Sequence, residues 1–263
     1  MTAKKLLFFT VLLVLAFIMG YSSYRLNEIN AHYAQEAKTH ERMMQYKPTS
    51  QTAERETSFF DNNPLVTEPI AAEPKTNPSI IALREKYPDV VGWITIPNTD
   101  VDYPFAQAED NDYYLHLDLD KNYLFAGTLF MDYRNGTEFY DFSTAIFGHN
   151  MKNGSMFGTL GKFNDEAFFR ENSTGTIFTA HNTYEIEFMA WLVIASDDAV
   201  IYNFINLNDT GKSAFLDYIK NTARHYRDID ATIEDNLVML STCNYDFADA
   251  RMVLVGRIVE LMQ

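Results

Sequence analysis

Cysteine is nearly missing. Cys243 stands alone in 263 residues, so no internal disulfide can form, and neither a CxxC redox pair nor a cysteine-zinc cluster has residues to build on. Basic side chains are in short supply too. Against 36 Asp and Glu there are 21 Lys and Arg, and the formal charge of −15 argues against a nucleic-acid surface and against broad adhesion to anionic lipid, since both would repel it. Charge alone identifies no substrate. Internal repeats and low-complexity tracts are absent as well, while an apolar fraction of 47% is ample for a packed core and excludes a disordered chain.

Long hydrophobic runs are scarce, with one exception at the N-terminus. Behind Lys4 and Lys5, only Thr10 and Gly20 interrupt the large apolar side chains of residues 6–21, a length near the lower limit for spanning a bilayer. Ile18-Met19-Gly20-Tyr21 offers no small-x-small cleavage site, which favours an uncleaved anchor over a removed signal peptide. The two lysines then stay inside and the bulk of the chain lies outside. The expected organisation is a cytoplasmic tip at 1–5, a transmembrane signal-anchor at 6–23, an extracellular stalk and linker at 24–78 and a folded domain at 79–263. Residues 22–45 carry no helix breaker and suit a helical stalk, whereas Pro48, Pro64, Pro69, Pro74 and Pro78 make 46–78 a spacer.

Within the domain, Ser79 reads as an N-cap for a short helix ending before Pro88. Eight strand-like runs follow, at 91–96, 101–105, 127–131, 144–147, 176–179, 184–195, 237–241 and 252–261, which predict a mainly β fold, a closed or nearly closed antiparallel barrel. Residues 165–169 suggest a helical turn. Between the sixth and seventh runs, Phe215, Leu216, Tyr218 and Ile219 are spaced for one face of a helix over 211–225.

Cys243 ends the apolar run Leu237-Val238-Met239-Leu240, a polar turn follows, and Arg251 opens the next run, so strand, turn and strand bring a thiol and a guanidinium to one place. A free thiol, with a pKa of about 8.5, needs positive charge or a basic partner to become a nucleophile. The bland reading is a small buried hydrophobe. Export weighs against it, because an unpaired thiol outside the membrane is an oxidation liability, although burial would also protect it. Of six histidines, His149 alone follows an apolar run and a glycine, Ala145-Ile146-Phe147-Gly148, and so is displayed at a strand end where Gly148 permits unusual backbone angles.

On these motifs the chain resembles the sortases, membrane-anchored cysteine transpeptidases of Gram-positive bacteria, and among them class B. Leu240-Ser241-Thr242-Cys243 matches the nucleophile motif, Phe147-Gly148-His149-Asn150-Met151 the histidine motif, and Arg251-Met252-Val253-Leu254-Val255 the arginine strand. Thr128-Leu129-Phe130-Met131-Asp132-Tyr133-Arg134-Asn135, Asn111-Asp112-Tyr113-Tyr114-Leu115 and the helix before the cysteine strand are also similar to class B. The resemblance covers residues 80–263. It implies an eight-stranded sortase-type barrel as the catalytic domain, in which Cys243 cleaves a C-terminal sorting signal after threonine through a thioacyl-enzyme and passes the protein to an amine of a peptidoglycan precursor or another acceptor. His149 is implied as the proton carrier and Arg251 as the oxyanion partner. Ser241, Thr242, Asn111, Leu115 and Tyr202 are implied to touch the signal peptide, with core packing as the competing role of Leu115 and Tyr202.

No cofactor or metal is called for, and Glu109, Asp110 and Asp112 read as a solvated turn. Partners on this reading are surface proteins bearing a sorting signal, the amine acceptor and the membrane, with no nucleic acid. Two other enzymes fit the same residues, a cysteine peptidase that gives the intermediate to water and a pilin-polymerising sortase using a lysine. A catalytically silent wall-binding module is the non-enzymatic competitor. The implied signals are NPQTN-like or PPKTG-like.

Overall fold

The computed structural model describes residues 3–48, 76–243 and 249–261. The strands are β1 (Val90–Thr95), β2 (Asp102–Ala106), β3 (Leu129–Met131), β4 (Ser143–Phe147), β5 (Thr174–Thr179), β6 (Thr183–Ala195), β7 (His225–Tyr226), β8 (Asn236–Cys243) and β9 (Ala250–Glu260). They join in the order β5-β1-β2-β3-β4-β8-β9-β6-β7, and an added β5–β6 pairing closes eight of them into a barrel that leaves no free edge in the ring. The two-residue β7 is an appendage on β6.

One expectation needs correcting. The barrel is not antiparallel throughout, because β2 pairs parallel with β3 and β4 pairs parallel with β8. Parallel neighbours need a crossover: residues 107–128 supply it for the first pair, and everything from 148 to 235 lies between the second.

Both faces of the central strands are covered, which is why they read as unbroken apolar runs. Along β8, Val238 and Leu240 belong to a cluster with Phe105, Leu129, Phe157 and Trp191. The alternate residues Leu237 and Met239 pack instead with Phe215 and Ile219 of α4 (Asp209–Thr222). This helix starts two residues before the expected Gly211, capped by Asn208, whose side chain accepts from the Gly211 amide at 2.8 Å. It also stops short of His225. The Arg224 amide donates to Trp191 O at 2.8 Å, so the chain there is captured by β6 and His225 becomes a strand residue.

Helix α2 (Pro78–Lys86) is preceded by Asn77 as its N-cap, not Ser79, with Pro78 in the first turn, where its missing N–H costs nothing. Asn77 makes no side-chain cap; its amide donates to Thr179 O at 2.6 Å and ties the helix to the end of β5. Helix α3 (Glu166–Glu171) is capped by Asp165, which accepts from the Phe168 amide.

Helix α1 (Ala3–Met44) is continuous, so at about 1.5 Å per residue it is about 60 Å long. Its apolar N-terminal portion is long and apolar enough to cross a membrane and none of it is buried. Its C-terminal portion lies against the barrel. Met43 is buried with Trp93 and Phe130, Glu36 accepts from Asn153 at 3.1 Å, Arg42 pairs with Asp120 at 2.5 Å, and Lys47, just after the helix, pairs with Asp102 at 2.5 Å. Of the expected spacer at 46–78, residues 49–75 lie outside the described residues.

His40 sits in this seam, its ring 4.5 Å from that of Tyr103 and its buried Nδ1 without a hydrogen-bond partner among the described residues. Burial pushes its pKa below 6.5, against the pull of Asp102 and Glu36 and with a small push from Lys47. A histidine with a depressed folded pKa binds more protons when unfolded, so its contribution to stability is present above about pH 6.5 and is lost as pH falls through that window toward the folded value. His40→Phe is therefore expected to shrink the drop in thermal unfolding temperature between pH 7 and pH 5, read by calorimetry on the full chain. An unchanged drop would show that His40 does not carry the acid response.

Candidate active site

The site forms where β4 and β8 end together. Their parallel register sets Ile146 opposite Leu240 and Phe147 opposite Ser241, so His149, two residues past Phe147, and Cys243, two past Ser241, arrive at one rim. The Gly148 amide still donates to Ser241 O at 3.3 Å. From the other side, the antiparallel β8–β9 ladder places Cys243 opposite Arg251, register partners whose Cα atoms sit about 4.5–5.5 Å apart. Two ladders thus bring three distant sequence positions to one end of the barrel.

Gly148 does this differently from the expectation. It is not among the positive-φ glycines, and a Cβ there would meet Leu129 Cδ2 at 2.3 Å and Phe157 Cδ2 at 2.9 Å, both side chains fully buried. Close approach, not an unusual dihedral, demands the glycine.

An open cleft of about 480 Å³ lies over this rim, and its walls include His149, Arg251 and all five residues expected to touch a substrate, Asn111, Leu115, Tyr202, Ser241 and Thr242. Their positions separate them by role. Thr242 Oγ1 is buried and has no hydrogen-bond partner among the described residues, an unmet polar atom at the cleft. Ser241 Oγ is 2.8 Å from Tyr202 OH, so the two hydroxyls satisfy each other and Tyr202 is held upright beside β8. Tyr202 also stacks near Phe147, ring centroids 6.4 Å apart. Asn111 donates to Asp132 at 3.1 Å and accepts from the Tyr133 amide at 3.1 Å, which commits both ends of its amide to the cleft wall.

His149 Nε2 donates to the backbone oxygen of Leu115 at 2.8 Å, so in the neutral ring Nδ1 carries the lone pair. Burial lowers the His149 pKa below 6.5; the Leu115 hydrogen bond opposes this and the His116 ring, stacked at 5.1 Å, adds to it. At neutral pH the imidazole is a neutral base. Arg251 is half-buried and its Nη1 donates to Ala250 O at 3.2 Å, a contact that steadies the guanidinium at the cleft.

Sequence reasoning passed over the pair that braces this wall. Asp132 is completely buried, and Arg134 grips it through Nε at 2.8 Å and Nη2 at 2.7 Å while also donating to Tyr202 O at 3.3 Å. Burial by itself would raise the Asp132 carboxyl, but hydrogen bonds from Arg134 and Asn111 outweigh it and hold the pKa below the usual carboxylate range. Both residues stand in the motif at 128–135, where alternation of charge without a known fold gives no hint that the pair closes on itself. Arg134→Ala is expected to cost about 2–3 kcal/mol in urea unfolding, less than a fully buried pair because Arg134 is 32% exposed. A loss under about 0.5 kcal/mol would show the pair to be inessential. The acidic cluster has an ordinary role: Asp110 accepts from the amides of Asp112 and Tyr113 and starts a 3-10 turn at Tyr113–Leu115.

No protein-family model matches the chain. Sortase B of Listeria monocytogenes serovar 1/2a is 36% identical over 182 residues, 67% of this chain and 72% of that relative. The crystal structure of sortase B from B. anthracis in complex with AAEK1 superposes with a TM-score of 0.70 at 29% identity, over 88% of this chain and 99% of that one. A Staphylococcus aureus sortase B–substrate complex gives 0.66 at 26% identity, over 72% and 88%. The closed barrel with short helices and an N-terminal apolar helix is the sortase fold. By its identity to the Listeria protein, the chain belongs to the sortase B family.

Proposed function

We propose that this enzyme is a membrane-anchored transpeptidase that cleaves a C-terminal sorting signal after threonine and joins the protein to a cell-wall amine. The observation that carries the reading is the double register: β4 with β8, and β8 with β9, set His149, Cys243 and Arg251 at one rim under an open cleft. Residues 6–23 anchor the chain, Lys4 and Lys5 stay inside, and the barrel works outside the cell.

In the first half-reaction His149 takes the Cys243 thiol proton, the resulting thiolate attacks the threonine carbonyl, the C–N bond breaks, and the departing amine takes that proton from the imidazolium. A thioester is left on Cys243. Arg251 hydrogen-bonds the oxygen as negative charge gathers on it, a task for which a guanidinium suits because it stays charged and never competes for the moving proton. In the second half an amine nitrogen attacks the thioester, the C–S bond breaks, and the amine proton passes through His149 to the departing sulfur, which regenerates the thiol and the neutral imidazole. Asn111 and Tyr202 shape the wall and Leu115 orients His149 through its carbonyl.

The test is mass spectrometry of the purified full chain with NPQTN-like and PPKTG-like peptides, with and without an amine acceptor. Ligated product carrying the acceptor on the threonine is expected. Hydrolysed product alone, at every acceptor concentration, would make the enzyme a peptidase instead.

A further inference from the structure

His149 borders two cavities. Besides the cleft on the side of β8, it opens onto a groove of about 470 Å³ between α1 and the segment that carries Tyr123 and Phe125, walled on the α1 side by Ile29, His32 and Tyr33. We infer that this second groove seats the amine-bearing peptide that attacks the thioester, so that acceptor and sorting signal reach His149 from opposite sides.

The argument starts from what a two-substrate reaction needs, and it rests on the transpeptidase reading given above. During the second half-reaction the acyl group remains on Cys243 and fills the cleft over Ser241 and Thr242. An acceptor must approach from space the acyl chain does not fill, yet end within reach of the base that removes its proton. The groove meets both conditions because His149 belongs to its lining and to that of the cleft. Its size falls within the range of about 300–1,000 Å³ usual for small-ligand sites, enough for a few residues of a slender peptide.

Its chemistry suits an amine that reacts as free base. The walls are mixed: Ile29, Tyr33, Tyr123, Phe125 and Met151 supply aromatic and apolar surface beside polar side chains, and the charged lining is Lys152 and an Arg25–Glu28 ion pair at 2.6 Å. A trap for ammonium would be lined with unpaired carboxylates; this one is not, and it favours the neutral, nucleophilic form. The wall is also stiff. Aromatic rings run from α1 to the base: His32 lies 5.2 Å from Phe125, Phe125 6.3 Å from His116, and His116 5.1 Å from His149. Gln35 Nε2 donates to Tyr123 O at 2.9 Å and fastens the segment to the helix.

Placement adds a further reason. Because α1 is unbroken, His32 stands only nine residues, about 14 Å, beyond Ser23, where the anchor segment ends. The groove therefore opens close to the bilayer surface, and its occupant is an amine-bearing peptide presented there, not one diffusing from outside the wall.

Binding and reaction test this separately, using the full chain in phospholipid nanodiscs and triglycine as the probe. In methyl NMR, triglycine is expected to shift the Ile29 resonance and leave the remote core methyls of Ile201 and Ile219 in place. Ile29→Trp, which fills the groove, and Phe125→Ala, which removes a wall, should each weaken that binding at least tenfold. With a sorting-signal peptide present, the ratio of ligated to hydrolysed product should fall at least tenfold in both variants, a ratio that does not depend on how fast the thioester forms. Triglycine shifts confined to the cleft side, or an unchanged ratio, would overturn the groove. If the wild type cleaves no sorting peptide, the transpeptidase reading fails, while the methyl shifts still decide whether the groove binds an amine peptide.

Discussion

Cys243→Ala is expected to abolish turnover of a sorting-signal peptide, with a loss on the order of 10⁵-fold or more, because no other group in the cleft can form the thioester. Folding should survive it. Alanine keeps the β8 backbone that pairs Cys243 with Arg251 in register, and the strand is held upstream by seven further pairs from Asn236 to Thr242. The expected result is an unfolding temperature within a few degrees of the wild type together with no cleaved peptide after overnight incubation. Retained cleavage would remove Cys243 from the mechanism. A collapsed fold would instead make the cysteine a packing residue, the bland role a lone thiol fills most often. Thioester trapping separates the two further, since only the wild type should gain the mass of the acyl fragment.

Much of the barrel was readable because each strand carries its own signal. The apolar runs at 91–96 and 237–241 coincide with β1 and β8 to within two residues, since central strands covered on both faces are apolar without interruption. Strand direction was not readable. Nothing local in Ala145-Ile146-Phe147 says that it pairs parallel with β8, yet that pairing is what carries His149 to Cys243. Similarly, the sequence motif singled out His149 but not its anchor. The partner is the backbone oxygen of Leu115, 34 residues away, and a carbonyl has no residue-type signature. Asn111 and Tyr202, expected as peptide contacts, line the cleft, but their bracing bonds were not legible, because those depend on Asp132 and Ser241 far away in sequence. Helix ends slipped for a related reason: Arg224 leaves α4 to bond Trp191, a tertiary contact that overrides the helical pattern before it.

Arg251 makes separable demands of charge and of geometry, and a substitution series distinguishes them. Arg251→Ala loses both the cation and the directed hydrogen bonds, and removal of one oxyanion donor typically costs on the order of 10²-fold or more in rate. Arg251→Lys keeps the charge but loses the planar fork, which here has one arm fastened to Ala250 O at the edge of the cleft; it should remain badly impaired, mainly in kcat. The thiol itself reports the other possibility. If the arginine acts when a carbonyl is being attacked, labelling of Cys243 by a small alkylating reagent should change far less than turnover in both variants. His149 sharpens the comparison: burial keeps it neutral at pH 7, so it supplies no standing cation, and a thiolate sustained by charge would have to rely on Arg251. Near-normal turnover in Arg251→Lys, or alkylation that falls in step with turnover in Arg251→Ala, would show that the guanidinium acts as a field on the sulfur, and the oxyanion role would pass to backbone amides at the rim.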